Sequence, residues 1–321
     1  MSASYLIVGG AGFIGSHCAD RLLAAASVQR VPVFDNFSSG RDWHLSAHIG
    51  EPRLDIVKGD VKDLEHLTDV AHGHDAVIHL ASNPDIARAA SEPAVDFDDG
   101  TLLTHHVVEA ARRSGVGQVL YASGSGVYGD LGCLEATEDH GPLLPVSTYG
   151  ASKLAGEALL SSYCSMFALR ALAFRFGNVV GPRQTHGVGF DFLRRLRADP
   201  TELRILGDGT QSKSYVYVDD IVDAVMLAAA REPAAYRVYN VATGDHITVT
   251  DIANIVCETL GLTDVPYVYS GGPRGWKGDV PVVRLDTSRI RALGWSNRLT
   301  SAEAIRCAVE AMLREDRDGA R

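Results

Sequence analysis

The chain has 321 residues, of which 46% are hydrophobic and 22% charged. This length suits one or two domains of ~100–200 residues. The apolar content is enough to fill a core, so the chain is not a disordered protein. Its 30 basic and 40 acidic residues give a net charge of −10, which argues against a free-standing nucleic-acid-binding protein. No apolar run reaches the ~18 residues of a transmembrane helix, so no membrane partner is expected.

Short apolar segments alternate with helical patterns along the first half of the chain. Strands are predicted at Tyr5–Val8, Val31–Phe34, Leu54–Val57, Ala76–Leu80, Gln118–Ala122 and Leu169–Phe174. Helices are predicted at Gly15–Ala26, Thr101–Arg113, Tyr149–Phe167, Gly189–Ala198, Val218–Ala230, Val249–Thr259 and Ala302–Arg314. This alternation predicts an α/β fold with a doubly wound parallel sheet, and the apolar strands indicate that helices cover both faces. The last seven residues, 315–321, are expected to fray.

A glycine-rich segment joins the first predicted strand to the first helix. Gly9, Gly12 and Gly15 follow the spacing G-x-x-G-x-x-G, in which the first glycine makes a tight turn, the second lets backbone approach a pyrophosphate and the third lets helix and strand pack closely. Asp35 follows twenty residues after Gly15, at the end of the second strand. A carboxylate there accepts hydrogen bonds from ribose hydroxyls and repels a 2′-phosphate, which favours NAD over NADP. The alternative is an ordinary turn with a loop aspartate.

Asp60 ends the third strand in the segment GDV. It either meets the adenine amino group or caps the helical stretch that follows, and the sequence leaves both interpretations open.

Tyr149 and Lys153 lie four residues apart at the start of a predicted helix, so their side chains share one face. An ammonium beside a phenol, together with the positive nicotinamide ring, favours the phenolate and is expected to lower the pKa of the tyrosine from ~10, which makes the tyrosine a general base. The alternative is an exposed lysine beside a half-buried tyrosine. The first interpretation predicts that this helix start faces the carboxyl ends of the strands.

The five cysteines are scattered, and no C-x-x-C pair occurs. This pattern is typical of reduced thiols in the cytoplasm and indicates neither a disulfide framework nor a metal site. The sequence also begins without the features of a signal peptide. We therefore expect a cytoplasmic protein without a metal ion.

Motifs along nearly the whole chain make it resemble the extended short-chain dehydrogenase/reductase family, in its branch of nucleotide-sugar epimerases and dehydratases and, within it, the UDP-glucose/UDP-galactose type of 4-epimerase. The matching segments are VGGAGFIGSH (8–17), FDNFSSG (34–40), GDV (59–61), HLAS (79–82), YASGSGVYGD (121–130), YGASKLAGE (149–157), RFGNVVGPR (175–183), GDGTQSKSYVYVDD (207–220), GDVPVVRLD (278–286) and LGW (293–295). The resemblance implies bound NAD, a UDP- or dTDP-sugar substrate and a homodimer formed by the helices near 101–113 and 149–167. It also implies two domains, a Rossmann-like NAD-binding domain at 1–175 and a smaller α/β nucleotide-sugar-binding lobe at 176–321, with some segments crossing back.

The resemblance also assigns ligand-binding positions. The implied cofactor-binding residues are Gly9, Gly12, Phe13, Ile14, Gly15, Asp35, Asn36, Ser38, Gly40, Asp60, Val61, Leu80, Ala81, Ser82, Tyr149, Lys153 and Phe176. The implied substrate-binding residues are Ser125, Tyr149, Asn178, Gln211, Lys213, Tyr215 and Arg274.

The residues after the fifth strand discriminate within the branch. Dehydratases and decarboxylases of the family carry acidic groups at the positions that are Ser125 and Gly126 here. Neither residue can protonate a leaving hydroxyl, so the sequence favours 4-epimerisation of a UDP-sugar through a transient 4-keto intermediate, with Tyr149 as base. The alternatives are a UDP-glucuronate or UDP-N-acetylglucosamine 4-epimerase, a reductase of the same branch, and an NAD-binding module with impaired catalysis.

One departure from the family concerns the catalytic hydroxyl. The family's serine or threonine falls at position 124, which is glycine here, between Ser123 and Ser125. Either Ser125 reaches the sugar 4-hydroxyl through a shifted loop, or a water does so, or Tyr149 acts alone. The catalytic set implied by the resemblance is therefore Tyr149, Lys153, Ser125 and Ser123.

The residues expected to bind the substrate also differ from the family pattern. Trp276 occupies a position where the family has arginine, and Val283 lies where a bulky residue restricts some epimerases to hexoses without an N-acetyl group. N-acetylhexosamines therefore stay open as substrates. Arg175 and Arg183 keep a uronate open too.

Overall fold

A central parallel sheet of seven strands forms the first part of the fold. The computed structural model describes residues 3–317. The described strands are β1 (Ala3–Val8), β2 (Val28–Asp35), β3 (Leu54–Lys58), β4 (Ala76–His79), β5 (Gln118–Gly124), β6 (Glu135–Ala136), β7 (Arg170–Phe176), β8 (Asn178–Val180), β9 (Leu203–Ile205), β10 (Ser212–Lys213), β11 (Tyr215–Tyr217), β12 (Tyr236–Val241), β13 (Ile247–Thr248), β14 (Tyr267–Tyr269) and β15 (Arg284–Leu285). The large sheet has the order β12-β7-β5-β4-β1-β2-β3. The predicted α/β class and doubly wound sheet are confirmed.

Helices cover both faces of this sheet and build a second layer beyond it. The described α-helices are α1 (Phe13–Leu23), α2 (Leu64–Ala71), α3 (Leu102–Ser114), α4 (Thr148–Phe167), α5 (Val188–Ala198), α6 (Val218–Arg231), α7 (Val249–Leu260), α8 (Ser288–Ala292) and α9 (Ser301–Arg317). Short 3₁₀ turns lie at Asp42–His48, Ile86–Ala90 and Ser125–Tyr128, and a π turn at Phe97–Thr101 leads into α3. Helix α9 reaches Arg317, so the tail is helical that far, and residues 318–321 of the predicted frayed tail lie outside the described residues.

Three apolar cores hold these layers together. Helices α1 and α6 cover one face of the sheet, where Leu22 and Val225 share a cluster, and α2, α3 and α4 cover the other, where Val108 and Leu160 are fully buried. A third core joins α5, α7 and α9 beyond the sheet, around residues such as Ile305. Residues after position 176 contribute to both parts, because strand β12 completes the central sheet.

The sequence prediction missed strand β12 and helix α2 of the sheet layers, as well as helix α8 and the short strands β6, β8–β11 and β13–β15. Strand β12 pairs in parallel with β7 at one edge of the sheet, and its polar residues Arg237 and Asn240 interrupt the apolar run expected of a central strand. Helix α2 is only 8 residues long, near the lower limit at which periodicity can be recognised. None of the helices within residues 3–317 is both long and apolar enough to cross a membrane.

Candidate active site

One large cavity opens at the carboxyl ends of the central strands. Its volume is about 920 Å³, and it runs from the turn after β1 to the loops around the third core. Strands β1 and β4 are neighbours whose chain connections lead in opposite directions along the sheet. Parallel α/β sheets bind ligands in the crevice at such a switch point.

The glycine-rich turn forms the near end of the cavity. Gly9 has a φ of +84°, and a Cβ on it would lie 2.7 Å from the backbone nitrogen of Ala81. A Cβ on Gly15 would lie 2.4 Å from the Gly9 carbonyl oxygen. Gly12 caps α1 without a side-chain hydrogen bond, and the first turn of the helix carries no acidic residue. The start of α1 therefore presents backbone N–H groups to the cavity, as an anion-binding helix terminus does.

Asp35 links this turn to the end of β2. Its Oδ2 accepts the N–H of Ala11 at 2.9 Å and its Oδ1 accepts the N–H of Phe37 at 2.8 Å. Burial raises the pKa of the carboxyl, while the two hydrogen bonds act in the opposite direction. An ionised carboxylate accepts about four hydrogen bonds, so Asp35 retains acceptor capacity toward the cavity that it borders.

Most of the other predicted cofactor residues border the same cavity. They are Phe13, Ile14, Asn36, Ser38, Asp60, Val61, Leu80, Ala81, Ser82 and Phe176. Gly40 does not border it; a Cβ there would lie 2.8 Å from the Cβ of Ala11, so this glycine serves the packing of the turn. The buried hydroxyl of Ser82 has no hydrogen-bond partner among residues 3–317.

The alternative role considered for Asp60 is wrong. The N-cap of α2 is Asp63, whose Oδ1 accepts the N–H of His66 at 3.1 Å. Asp60 instead accepts the N–H of Lys62 at 2.9 Å and borders the cavity.

Tyr149 and Lys153 lie together on the cavity side of α4. The helix is capped by Ser147, whose hydroxyl accepts the N–H of Gly150 at 3.1 Å. Lys153 is 4% exposed, donates from Nζ to the carbonyl oxygen of Ala122 at 2.9 Å, and lies 5.4 Å from the centroid of the Tyr149 ring. The predicted shared face is confirmed.

The electrostatics of this pair differ from the expectation. Burial lowers the pKa of Lys153 to about 8. Burial, with the nearby carboxylate of Asp96, raises the pKa of Tyr149 to about 12. Desolvation of the phenolate is the larger of these two causes. The chain's own groups therefore do not lower the pKa of Tyr149, and the expected contribution of the nicotinamide ring stays a prediction.

The turn after β5 runs beneath the Tyr149 ring. Ser123 is 4% exposed, and its hydroxyl donates to Oε1 of Glu157 at 2.6 Å. Glu157 also accepts two hydrogen bonds from the buried Arg175, at 2.9 and 2.6 Å. Gly124 has an extended backbone, with φ −158° and ψ 162°. The nearest atom to a Cβ on Gly124 would be Cε1 of Tyr149, at 4.0 Å.

Six of the seven predicted substrate residues border the cavity, Ser125 and Tyr149 at its reacting end and the other four toward its far end. Asn178, Gln211, Lys213 and Tyr215 border it, and Oε1 of Gln211 is buried without a hydrogen-bond partner among the described residues. Arg274 lies outside the lining, because its guanidinium donates to Oδ2 of Asp130 at 2.6 Å and to the carbonyl oxygen of Asp279. A role for Arg274 in direct ligand contact is not supported by this geometry.

Lys213 has an internal counterion that sequence reasoning missed. Its Nζ donates to Oδ1 of Asp279 at 2.7 Å and lies 5.2 Å from the centroid of the Trp276 ring. Asp279 is 2% exposed and also accepts the N–H of Gly275 at 3.0 Å. The only sequence signal was that Trp276 lies within the cationic segment at 274–277 and Asp279 follows two residues after it, which does not reveal the pairing.

Comparison with known proteins agrees with this geometry. The profile of the NAD dependent epimerase/dehydratase family matches residues 5–242. The chain belongs to that family. The family resemblance expected from the motifs is thereby confirmed, and so is NAD as the cofactor of the fold.

Relatives within the epimerase/dehydratase family include both epimerases and dehydratases. The UDP-glucose 4-epimerase of Mycolicibacterium smegmatis is 35% identical over 312 residues, covering 95% of this chain and 97% of that protein. A crystal structure of a UDP-galactose 4-epimerase has a TM-score of 0.86 at 38% identity, covering 97% of this chain and 99% of that one. The dTDP-glucose 4,6-dehydratase of Streptomyces venezuelae, solved with NAD bound, has a TM-score of 0.91 at 28% identity, covering 98% of each chain. Fold similarity alone therefore does not separate epimerase from dehydratase.

Proposed function

We propose that the chain is an NAD-dependent UDP-sugar 4-epimerase. The observation that carries the proposal is the composition of the reacting end of the cavity. Tyr149 and Lys153 face it, whereas Ser125 and Gly126 stand where an elimination would need an acid. A phenol and an ammonium can move a proton to or from a sugar hydroxyl. They include no carboxylic acid that could protonate a hydroxyl so that it leaves as water. Similarity to UDP-glucose and UDP-galactose 4-epimerases supports the same conclusion.

The residues at the near end of the cavity fit NAD. The uncapped start of α1 suits a pyrophosphate, Asp35 suits the ribose hydroxyls, and the unpartnered hydroxyl of Ser82 offers a further polar contact. Bound NAD supplies reversible oxidation at C4 of the sugar. We infer that residues 1–175 provide most of this half of the site and residues 176–321 most of the nucleotide-sugar half.

The chain's own residues then hold the sugar and move its proton. Tyr149 takes the proton from the 4-hydroxyl. It returns the proton to the same oxygen after the 4-keto sugar has rotated to present its other face. Lys153, held by the carbonyl of Ala122, binds the ribose next to the reacting ring. Lys213 and Asn178 suit the diphosphate, and Gln211 and Tyr215 border the space for the rest of the nucleotide.

Arg175 and Arg183, the two arginines considered for a uronate, are engaged elsewhere in the fold. Arg175 is engaged with Glu157, and Arg183 is engaged with Asp20 and with the carbonyl of His44. Both lie outside the cavity lining. A uronate would need a cation near C6, and neither of these two arginines supplies one; Arg195, which donates to the carbonyl oxygen of Arg204, does border the cavity, so the UDP-glucuronate alternative stays open. Val283 borders the cavity, and N-acetylhexosamines stay open beside hexoses.

The test is a set of UDP-sugars incubated with the protein, followed by separation of the epimers. We expect interconversion without net NADH, because net NADH would indicate the reductase alternative. Tyr149→Phe should lower kcat by about 10²–10⁴-fold, the usual contribution of a positioned acid–base group. Tyr163→Phe is the matched control, because Tyr163 lies on the same helix with its hydroxyl on Glu109. No epimerisation of any UDP-sugar by the wild type would contradict the proposal.

We also infer that the protein is a cytoplasmic homodimer. The charged residues of α4, Lys153 and Glu157, are both buried, so the exposed side of this helix carries no charge. Its exposed or part-exposed positions include Ala151, Ala158, Ser162 and Met166. A long uncharged helix face favours burial against a second copy. Sedimentation should show a dimer for the wild type and a monomer for Ala158→Arg.

A further inference from the structure

A buried carboxylate is hydrogen-bonded to the first turn of α4. Asp96 is 1% exposed and does not border the cavity. Its Oδ2 accepts a hydrogen bond from the hydroxyl of Thr148 at 2.6 Å, and its Oδ1 accepts one from Nδ2 of Asn83 at 2.8 Å. Thr148 directly precedes Tyr149 in the chain, and Asn83 borders the cavity. Asp96 therefore links one wall of the cavity to the helix turn that carries Tyr149.

Local structure does not account for the charge of this carboxylate. Asp96 precedes the π turn, but its side chain forms no capping hydrogen bond there. It has no ion pair in the part of the chain that the structure describes, and Lys62 pairs with Asp99 of the π turn instead, at 2.7 Å. A carboxylate that is buried to this extent needs a compensating positive charge elsewhere.

Lys153 is a buried cation on the same helix as Thr148. It is 4% exposed, its Nζ donates to the carbonyl oxygen of Ala122, and it too has no ion pair among the described residues. Burial lowers the pKa of Lys153, and the charge of Asp96 acts in the opposite direction. Burial raises the pKa of Tyr149, and the charge of Asp96 raises it further. The opposite charges of Asp96 and Lys153 therefore compensate each other in part without direct contact.

The other titratable rings around Lys153 are neutral. Burial and the Lys153 ammonium lower the pKa of His79 on β4 to about 3. Burial raises the pKa of Tyr121 on β5, whose ring centroid lies 5.2 Å from Nζ of Lys153. Charged or titratable side chains on other parts of α4 and on elements near it include the ion pairs Glu157–Arg175, Lys62–Asp99, Arg88–Glu92 and Glu109–Arg112 and the more exposed Asp85, Asp98, His105 and His106. The charge state of Lys153 thus depends mainly on burial and on Asp96.

We propose that Asp96 is a positioning residue that holds the first turn of α4 and keeps Lys153 charged beside Tyr149, so that it sets the pH range in which this pair works. The assignment rests on the proposed function, in which Tyr149 takes up and returns a proton while Lys153 stays an ammonium. Asp96 acts through these two residues and exchanges no proton with the substrate, because it lies outside the cavity.

The matched substitution is Asp96→Asn, which removes the charge and keeps the shape of the side chain. The amide oxygen can accept from Asn83 and the amide nitrogen can donate to the hydroxyl of Thr148, so both hydrogen bonds can be kept. Asp96→Ser is the second variant, because it removes the same charge with a smaller side chain. The control is Asp220→Asn: Asp220 is also 1% exposed, but it lies on α6 outside the cavity and is paired with Arg298.

The first measurement is kcat/KM for a UDP-sugar as a function of pH, which reports the ionisation of the acid–base groups before the substrate binds. Loss of the negative charge lowers the pKa of both Tyr149 and Lys153. Both limbs of the profile should therefore move to lower pH in D96N and D96S, by about one pH unit, the low end for a neighbouring charge. D220N should keep the wild-type position of the profile. A merely structural role of Asp96 would lower kcat without moving the profile.

The second measurement is urea unfolding as a function of pH, which does not depend on turnover. Stability should rise with pH between the pKa of Lys153 in the folded protein, about 8, and ~10.4 in the unfolded chain. Loss of the Asp96 charge lowers the folded value, so the rise should begin at lower pH in D96N than in the wild type. The difference between the two profiles should disappear when both proteins also carry Lys153→Met.

Two results would overturn the assignment. One is that D96N and D96S leave both profiles at their wild-type positions. The other is that D220N displaces the profiles as far as D96N does. Failure of the proposed function is distinguishable, because the wild type would then epimerise none of the UDP-sugars, while the unfolding profiles would still report the effect of Asp96 on Lys153.

Discussion

Two turns of this protein contain several glycines, and the physical reason for glycine differs between the two turns. In the turn at 9–15, a Cβ on Gly9 or Gly15 would lie 2.7 or 2.4 Å from backbone atoms, and Gly9 has a positive φ. In the turn at 123–126, a Cβ on Gly124 would meet nothing closer than 4.0 Å, and its backbone suits any residue. The first turn needs glycine to form, whereas the second leaves a space that glycine happens to keep open.

The largest expected effect separates these two causes directly. Gly15→Ala places a methyl group against rigid backbone, and such overpacking costs about 1–3 kcal/mol, so NAD affinity should fall by roughly 10- to 100-fold. Calorimetric titration with NAD measures the loss.

Gly124→Ala is the matched control for Gly15→Ala. It should leave NAD affinity and melting temperature unchanged. If both alanine variants damaged NAD binding equally, the distinction between the two turns would be lost.

A similar comparison can be made between two cationic side chains, Lys213 and Arg274. Lys213 borders the cavity, whereas Arg274 is engaged with Asp130 outside it. Removal of a charged hydrogen-bond donor costs about 1.5–3 kcal/mol, so Lys213→Met should raise KM by roughly 10- to 100-fold. Arg274→Met should change KM much less, and steady-state kinetics with a UDP-sugar compares the two. Equal increases would mean that Arg274 contacts the substrate.

A smaller effect concerns Lys153, held by Ala122 just before the second turn. Its pKa in the folded protein is about 8, below the ordinary ~10.4 of an unfolded chain. Between these values the unfolded state binds more protons, so stability rises with pH, on the order of 1 kcal/mol from pH 8 to 9. Urea unfolding without added cofactor should show this rise in the wild type relative to Lys153→Met. Parallel profiles for the two proteins would contradict the lowered pKa.

The smallest effect is expected for the Arg274–Asp130 ion pair. The two side chains are 42% and 30% exposed, and ion pairs near the surface contribute about 0–1 kcal/mol. A double-mutant cycle with Arg274→Met and Asp130→Asn should give a coupling free energy of unfolding below about 1 kcal/mol. A larger value would show that this pair is needed to hold the loop at 274–279.

Local patterns in the sequence predicted much of the fold and part of the site. Strands β1, β4 and β5 could be predicted because both of their faces are buried, which makes them continuously apolar. The glycine-rich turn and the Tyr149–Lys153 pair could be predicted because each function depends on residues within one turn of chain. Strand β12 could not be predicted in this way, since a strand at the edge of the sheet does not need to be continuously apolar.

The rest of the site depends on pairings between distant parts of the chain. Lys213 and its counterion Asp279 are 66 residues apart, and Arg274 and Asp130 are 144 apart. Which cation is held by which anion is decided by the folded geometry. The same holds for Ser123, whose engagement with Glu157 is what distinguishes it from Ser125.

The Lys213–Asp279 pair bears on how quickly product leaves. Lys213 offers three N–H donors, and one of them is already directed at Asp279. A diphosphate bound as we propose therefore meets a cation whose charge is partly matched by Asp279, and it gains less free energy than it would from a bare ammonium. Substrate and product have the same charge, so the carboxylate weakens both equally and leaves the barrier at C4 untouched. In the proposed site this pairing lowers affinity in exchange for faster release, which suits a reversible enzyme whose product resembles its substrate.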